Sequence, residues 1–454
     1  MVAVNTSFFS EMLQSIADRS RALISRRTPA QGRSDGIVEL CDALLSGRGE
    51  ASGVALANEI LDDYDDLTTG PRIAFFETLA RTFGHDQARI EAAIAGWRAA
   101  PSAETAAELH RVSEPRRLEL FRRLNLAPGG TAALVRMREQ LLDALDHRDD
   151  LAIVDKDFAH LFSSWFNRGF LVLRRIDWST PAAILEKIIR YEAVHEIRDW
   201  EDLRRRVDPP DRRCYAFFHP ALVDEPLIFV EVALTREIPG AIAPILSDKR
   251  DPVEPQRATT AVFYSITNCQ RGLAGVTFGH FLIKQVVEEV SRDLPRIANF
   301  VTLSPAPNFA AWFNRERINE ASLALDEDDR EALSALAQAD WWKDPTVTAA
   351  VREPFLRAAG WYYLRARNGR GLPADSVARF HLGNGARLER LNWLGDTSSR
   401  ALQQSYGLMV NYLYDLDYIE QNHEAYAQQH AIVAASAVSR LVRAPMREVV
   451  PISG

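Results

Sequence analysis

The residues with the clearest chemical potential lie in the run Arg379-Phe380-His381-Leu382-Gly383-Asn384-Gly385-Ala386. His381 stands between two apolar residues, with a glycine-rich turn directly after it. An imidazole held among apolar neighbours takes its pKa from its surroundings and can give or take a proton near neutrality. The same pattern also describes a core histidine whose ring nitrogens are simply satisfied. A polar aromatic segment, Asn411-Tyr412-Leu413-Tyr414, closes the stretch. A second candidate is the strand, turn and helix read over residues 262–287. Gly272, Gly275 and Gly279 allow a ligand close to the backbone, and the N-terminus of the following helix favours anions. Glycines in such a place serve packing equally well. Ser265, at the end of the strand, can face a ligand lying over that turn or bond to nearby backbone.

Several chemistries are excluded by what these stretches lack. The turn has neither the Gly-Lys-Ser/Thr ending of a nucleotide triphosphatase nor the Gly-x-Gly-x-x-Gly of a dinucleotide site. Ser265 is not in a Gly-x-Ser-x-Gly elbow, so hydrolase-type nucleophilic catalysis is not indicated. The acidic run Asp326-Glu327-Asp328-Asp329 reads as a solvated helix-start region and not as a metal site. No metal and no separate cofactor is expected.

The elements that must position these groups fall into two parts. The first third reads as helices. Phe9, Met12, Leu13, Ile16, Leu23 and Ile24 recur at helical spacing. Further helices are marked by Val38 to Leu45, Leu56 to Tyr64, a segment opened by Pro71 and stopped near Gly84, one capped by Asp86, and residues 115–126 and 131–147. No catalytic constellation appears there, so a bundle for scaffolding or subunit contact is expected. From about residue 166 the pattern becomes mixed. Strands are read at 170–176, 214–218, 227–234, 260–266 and 300–304, with a central βαβ unit. Residues 315–367 are helical, a loop at 368–373 leads into a strand carrying His381, and an alanine-rich helix is expected from about 425 to 441. Trp341-Trp342 and Trp361-Tyr362-Tyr363 read as packing clusters.

At 454 residues the chain is long enough for two cores, and its 47% hydrophobic and 26% charged content is ordinary for a globular protein. A formal net charge of -8 argues against nucleic acid as the main partner. Cys41, Cys214 and Cys269 are odd in number and widely separated, so neither a disulfide framework nor a zinc spacing is supported. No apolar run reaches the roughly 18 residues of a membrane span, and the N-terminus lacks a signal-peptide pattern. A cytoplasmic protein with no membrane partner is expected.

The order of the longer motifs adds more than any single residue. RFHLGNGARLERLNWLGD (379–396) followed by SYGLMVNYLY (405–414) resembles the C-terminal region of malonyl-CoA decarboxylases. So do ATTAVFYSITNCQRGLAGVTFGHFLIKQVV (258–287), RRCYAFFHP (212–220), EPLIFVEVALT (225–235) and LSPAPNFAAW (303–312). The resemblance runs in one order from about residue 170 to 442; before that it rests on helical character alone. It implies an α+β protein, with an all-α helical bundle over 1–165 followed by a GNAT-like mixed α/β catalytic domain over 166–454. It also implies conversion of malonyl-CoA to acetyl-CoA and carbon dioxide, with CoA entering only as part of the substrate. By the same resemblance Ser265 and His381 are the catalytic pair and Tyr414 completes the site. His381 would donate to carbon, Ser265 would hold the malonyl carboxylate or relay a proton, and Tyr414 would bond His381 or the thioester oxygen. Acyl-CoA contacts would include Glu237, Ile238, Pro239, Gly240, Ala241, Ile242 and Ala243 beside the three glycines, and the helical part would form a homo-oligomer, a dimer or tetramer. An acyltransferase on the same fold, with His381 as general base, and a non-catalytic CoA-binding scaffold are the other readings.

Overall fold

The computed structural model describes residues 33–46, 49–276 and 282–442. The helix expected over Phe9 to Ile24, and Gly279, lie outside the described residues. Two compact units emerge, and neither is one continuous stretch of chain. The first comprises Met1–Val172, Phe218–Glu225 and Gln270–Phe278; the second comprises Leu173–Phe217, Pro226–Cys269 and Gly279–Gly454.

Among the described residues the first unit is mainly helical: Arg33–Leu45, Glu50–Asp65, Thr69–Arg81, Gln87–Ala99, Ala103–Val112, Arg116–Leu124, Gly130–Leu145 and Ala152–Trp165. Asp86 caps its helix by accepting from the Arg89 amide, which satisfies one of the amides a helix start leaves free. Ala103–Val112 and Ala152–Trp165 are helices that apolar spacing alone does not mark. The former is largely exposed and charged, and its capping box of Ser102 and Thr105 marks it better than any apolar stripe does. The core is aromatic, with Phe121 stacked on Phe158 at 4.1 Å between centroids. Two buried guanidinium groups, Arg117 and Arg138, are paired with Asp157 and Asp155 at 2.5 and 2.8 Å, as charges removed from water must be.

The second unit is built on an eight-stranded sheet. Its strands are β1 (Val172–Ile176), β2 (Arg212–Phe218), β3 (Pro226–Thr235), β4 (Thr260–Asn268), β5 (Asn299–Thr302), β6 (Ser304–Pro305), β7 (Arg387–Asn392) and β8 (Met409–Leu413). Their order is β1-β2-β3-β4-β5-β8-β6, with β7 also on β8. β3 and β4 are antiparallel, β4 and β5 parallel across the helix Leu282–Asp293, and β8 antiparallel to β5, β6 and β7. The expected βαβ unit is therefore present.

β4 and β5 pair only from Thr260↔Asn299 to Phe263↔Thr302. One more bond, from the Leu303 amide to the Phe263 carbonyl at 3.0 Å, follows. Beyond it β4 continues against β3 as far as Asn268, while the other chain passes into β6 and pairs with β8. A sheet that opens between two parallel strands in this way has the GNAT-like arrangement.

The alanine-rich stretch near the C-terminus differs from expectation. The helix is Ile419–Gln429 and stops where His430 turns left-handed. The chain then runs beside β7, with the Leu388 amide donating to Val433 and the Ala435 amide donating to Leu388, and only Ser436–Ser439 is helical again. Unpaired backbone at the sheet edge outweighs alanine's helix propensity here.

Alternation along β8 divides its side chains between the two faces of the sheet. Met409 and Leu413 join Val262, Tyr264, Val301, Leu303, Ile242 and Ile245 in one apolar cluster. Asn411, fully buried between them, donates to the carbonyls of Thr302 (2.7 Å) and Pro239 (3.2 Å) and accepts from Arg390 and Asn392. One amide thus ties β5, β7, β8 and the segment 237–243 together. Asn411→Ala strands several buried polar groups, each worth about 1–3 kcal/mol. We expect stability in urea to fall by about 2–4 kcal/mol; a loss below about 0.5 kcal/mol would contradict this account.

Candidate active site

His381 lies in a helix, Ser376–Gly383, and not in a strand as the sequence reading has it. Asp375 caps that helix by accepting from the Ala378 amide at 2.8 Å. Its end is tied by the Asn384 and Ala386 amides, both bonding to the His381 carbonyl. The alternating Phe380-His381-Leu382 pattern suits a strand over three residues, but the Asp-Ser pair before it and the glycines after it are helix boundaries.

The helix delivers the imidazole, 3% exposed, to the sheet face opposite the apolar cluster. Its Nδ1 is 2.7 Å from Tyr414 Oη and its Nε2 is 3.1 Å from Ser304 Oγ. Tyr412 stacks on the ring at 4.6 Å. Ser304 donates its own hydroxyl proton to Thr302 Oγ1 at 2.9 Å, so toward the ring it can only accept. This assigns the proton to Nε2 and makes Nδ1 the acceptor of the Tyr414 hydroxyl. Burial pushes the His381 pKa down to about 3 and the Tyr414 pKa well above its ordinary value. The ring is therefore a neutral N–H donor backed by a phenol.

Ser265 lies inside β4, which continues three residues past it, and not at the strand's end. Phe263 pairs with Val232 and Ser265 with Glu231 across an irregularity that leaves Tyr264 unpaired, so the two point to opposite faces of β4. The Phe263 ring is 6.3 Å from that of Tyr414, and Ser265 lies on the side of Glu231. No hydrogen bond joins Ser265 to His381. Ser265 Oγ instead donates to Glu192, at 2.8 Å from Oε1 and 2.9 Å from Oε2. Thr267 Oγ1 also donates to Oε2 at 2.9 Å. The expected donor for a malonyl carboxylate thus has its proton directed elsewhere in this structure, and offers lone pairs to any other neighbour.

The remaining candidates are placed differently. Ile238, Pro239 and Ile242 are pinned by Arg390 to the Ile238 carbonyl, Asn411 to the Pro239 carbonyl and the Ile242 amide to Gly395. Ile242 belongs to the apolar cluster, so residues 237–243 sit on the face away from His381. Gly272 is buried, and a Cβ there would lie 2.0 Å from the Val135 carbonyl; Arg138 also donates to the Gly272 carbonyl at 2.9 Å. Its close approach is to a helix of the first unit and leaves no room for a ligand. Gly275 is exposed at φ +75°, with open space around it. Asp326 of the acidic run caps Glu327–Leu333, and Asp329 bonds to Arg357. Among the described residues no group of three or more His, Cys, Asp or Glu side chains is placed to hold a metal, and no helix is long and apolar enough to cross a membrane.

Sequence reasoning missed Glu192, Thr267, Thr302 and Ser304. Ser304 lay within the LSPAPNFAAW motif, and Thr267 follows Ser265 at the strand period of two, which are the available signals. Glu192 directly follows a helix and carries no motif of its own.

A sheet parted between parallel strands, with a buried hydroxyl–imidazole–phenol chain on one face and a separate helical unit, defines a two-part α+β enzyme of the GNAT-like class. The chain belongs to the malonyl-CoA decarboxylase family. The family models described as Malonyl-CoA decarboxylase C-terminal domain and N-terminal domain match residues 169–451 and 83–166. The mitochondrial malonyl-CoA decarboxylase of Anser anser anser is 36% identical over 420 residues, covering 85% of this chain and 82% of that one. The crystal structure of malonyl-CoA decarboxylase from Rhodopseudomonas palustris is 58% identical with a TM-score of 0.87, covering 90% of this chain and 99% of that chain. The one from Agrobacterium vitis is 55% identical with a TM-score of 0.86, covering 90% and 100%.

The buried ring has a consequence for stability. An unfolded histidine takes up a proton near pH 6.5, whereas folded His381 does so only near pH 3. The unfolded state then binds more protons, so His381 lowers stability as pH falls below about 6.5, by up to about 1.4 kcal/mol per pH unit. His381→Asn should flatten the fall of unfolding free energy between pH 6 and 4.5, measured by urea titration. Parallel slopes in wild type and variant would show that the ring is not buried neutral.

Proposed function

We propose that the chain removes carbon dioxide from malonyl-CoA to give acetyl-CoA, with His381, Tyr414 and Ser265 at the reacting end. Membership of the family supports the reaction, and the observation that carries the mechanism is the neutral imidazole with Tyr414 at Nδ1 and its own proton at Nε2. Breaking the bond between the α-carbon and the carboxylate leaves the electron pair delocalised into the thioester as an enolate, while carbon dioxide departs. The thioester is the electron sink, so the chemistry calls for no metal and no separate cofactor. The enolate carbon takes the Nε2 proton of His381, and Nδ1 takes the proton of Tyr414. The phenolate so formed is a far weaker base than the enolate, so the transfer runs downhill; solvent then supplies a proton to Nε2 while Nδ1 returns its proton to Tyr414, which restores the starting tautomer. Ser304 and Thr302 fix the ring's tautomer and angle, and Ser265 borders the acyl end. A neutral imidazole that polarises a carbonyl oxygen is a known use of a strongly depressed histidine pKa.

The test follows acetyl-CoA by mass from chelator-treated protein given malonyl-CoA. Full activity is expected; activity lost to the chelator and restored by a metal would overturn the metal-free reaction, and transfer of the acyl group to an amine would favour an acyltransferase. His381→Asn should lower kcat by about 10²–10⁴-fold, the usual value of a positioned acid, with CoA affinity near wild type. Near-normal turnover per folded molecule would remove His381 from the mechanism.

The same proposal includes self-association through the helical unit. Exposed Trp97, Leu126 and Ile153 on that unit support it. Sedimentation of the full chain should show a dimer or tetramer, and a monomer at micromolar concentration would count against it.

A further inference from the structure

Glu192 stands immediately after the helix Ala182–Tyr191, at its C-cap, with its own amide donating to the Ile188 carbonyl. It is 5% exposed. An acidic side chain at a helix C-terminus faces the negative end of the helix dipole, and burial adds a desolvation cost. The local fold answers that cost with donors. The chain turns back after Glu192, so that the amides of Val194 and His195 donate to Oε1 at 2.8 and 2.9 Å. Ser265 Oγ reaches both oxygens, and Thr267 Oγ1 reaches Oε2. These last two hydroxyls come from alternate positions of β4, paired with Glu231 and Phe229 of β3 and beyond the last β4–β5 pair at Phe263. The carboxylate is thus gripped from behind by two amides and presented to two strand hydroxyls, one of which is a proposed site residue.

The consequence lies in the direction of one proton. A serine hydroxyl has one proton and two lone pairs. With its proton directed to Glu192, Ser265 can only accept toward a ligand in the opening between β4 and β5. We infer that Glu192 is a positioning residue that fixes the Ser265 hydroxyl as an acceptor toward the substrate of the proposed decarboxylation. The inference rests on that reading of the site. A carboxyl-bearing acyl group then meets no donor from Ser265 in the ground state, and the hydroxyl is held in one rotamer through the reaction. A carboxamide at the same place reverses the arrangement. Its N–H donates to Ser265 Oγ and frees the serine proton to point at the substrate carboxylate. That change binds the ground state at least as well and leaves it less ready to lose carbon dioxide.

The experiment compares wild type, Glu192→Gln, Ser265→Ala and the double variant on malonyl-CoA, in full-length protein. Melting temperature is recorded for each preparation, and rates are expressed per folded molecule. Wild type releases acetyl-CoA if the functional reading holds; its failure to do so defeats that reading and leaves the hydrogen-bond geometry untouched. Given active wild type, Glu192→Gln should lower kcat at least tenfold with KM unchanged or lower. The double variant should be no slower than Ser265→Ala, because Glu192 acts through Ser265 alone. Normal kcat in folded Glu192→Gln overturns the inference. So does a raised KM with kcat intact, or a double variant in which the two losses multiply. Should Glu192→Gln fold poorly, Thr267→Val provides the control. It removes the other hydroxyl from the same carboxylate and leaves Ser265 in place, so kcat should stay within about threefold of wild type; a loss as large as that of Ser265→Ala would mean that the cluster is structural, and would overturn the inference as well.

Discussion

Alternation along β8 is the constraint on which the rest of the second unit depends. Met409, Asn411 and Leu413 face one way, Tyr412 and Tyr414 the other. The first set closes the apolar cluster and, through Asn411, fixes the chain at 237–243 to the sheet. The second set receives the imidazole, with Tyr412 against its face and Tyr414 on Nδ1. A slip of one residue in the pairing of β8 would exchange the two sets, leaving polar Asn411 in the place of an aromatic ring and the histidine without its phenol. The surroundings of His381 and the register of β8 are therefore the same fact in this unit.

The electrostatics follow from that placement. His381 is enclosed by aromatic and hydroxyl groups, and desolvation is the cause of its depressed pKa. A ring in such surroundings is useful as a fixed N–H donor whose direction is set by Ser304 and Thr302. On the neighbouring strand, Glu192 does for Ser265 what Ser304 does for His381, since each supplies the partner that decides which way a proton points.

Much of this was legible in the sequence, and the gaps have physical causes. Strands β2 to β5 announce themselves by β-branched and aromatic runs, and the residues 379–396 and 405–414 carry the family's order. Ser265, His381 and Tyr414 could be singled out because they lie inside long motifs. Glu192 and Thr302 could not, because their roles arise only when segments far apart in sequence come together: Ser265 and Glu192 are 73 positions apart. His381 was misplaced onto a strand because three alternating residues fit either period, and the cap at Asp375 decides the matter. Gly272 was legible as a close-approach glycine, but sequence alone does not tell whether backbone or ligand approaches. The alanine-rich end was misread because propensity is local while the open edge of β7 is not.

The division of the chain into interleaved pieces has a bearing on biosynthesis. The helical unit takes in Phe218–Glu225 and Gln270–Phe278, and the latter brings the carbonyl of Gly272 to buried Arg138 and its backbone against Val135. A ribosome that has released the first 172 residues has therefore not yet released the whole of that unit. Its last segment leaves the exit tunnel only after β2, β3 and β4 have been made, so the two units cannot mature strictly one after the other. Arg138 and its neighbours must wait through some hundred residues of synthesis for a partner that belongs to them, an interval in which a holdase chaperone would find unfinished surface to cover.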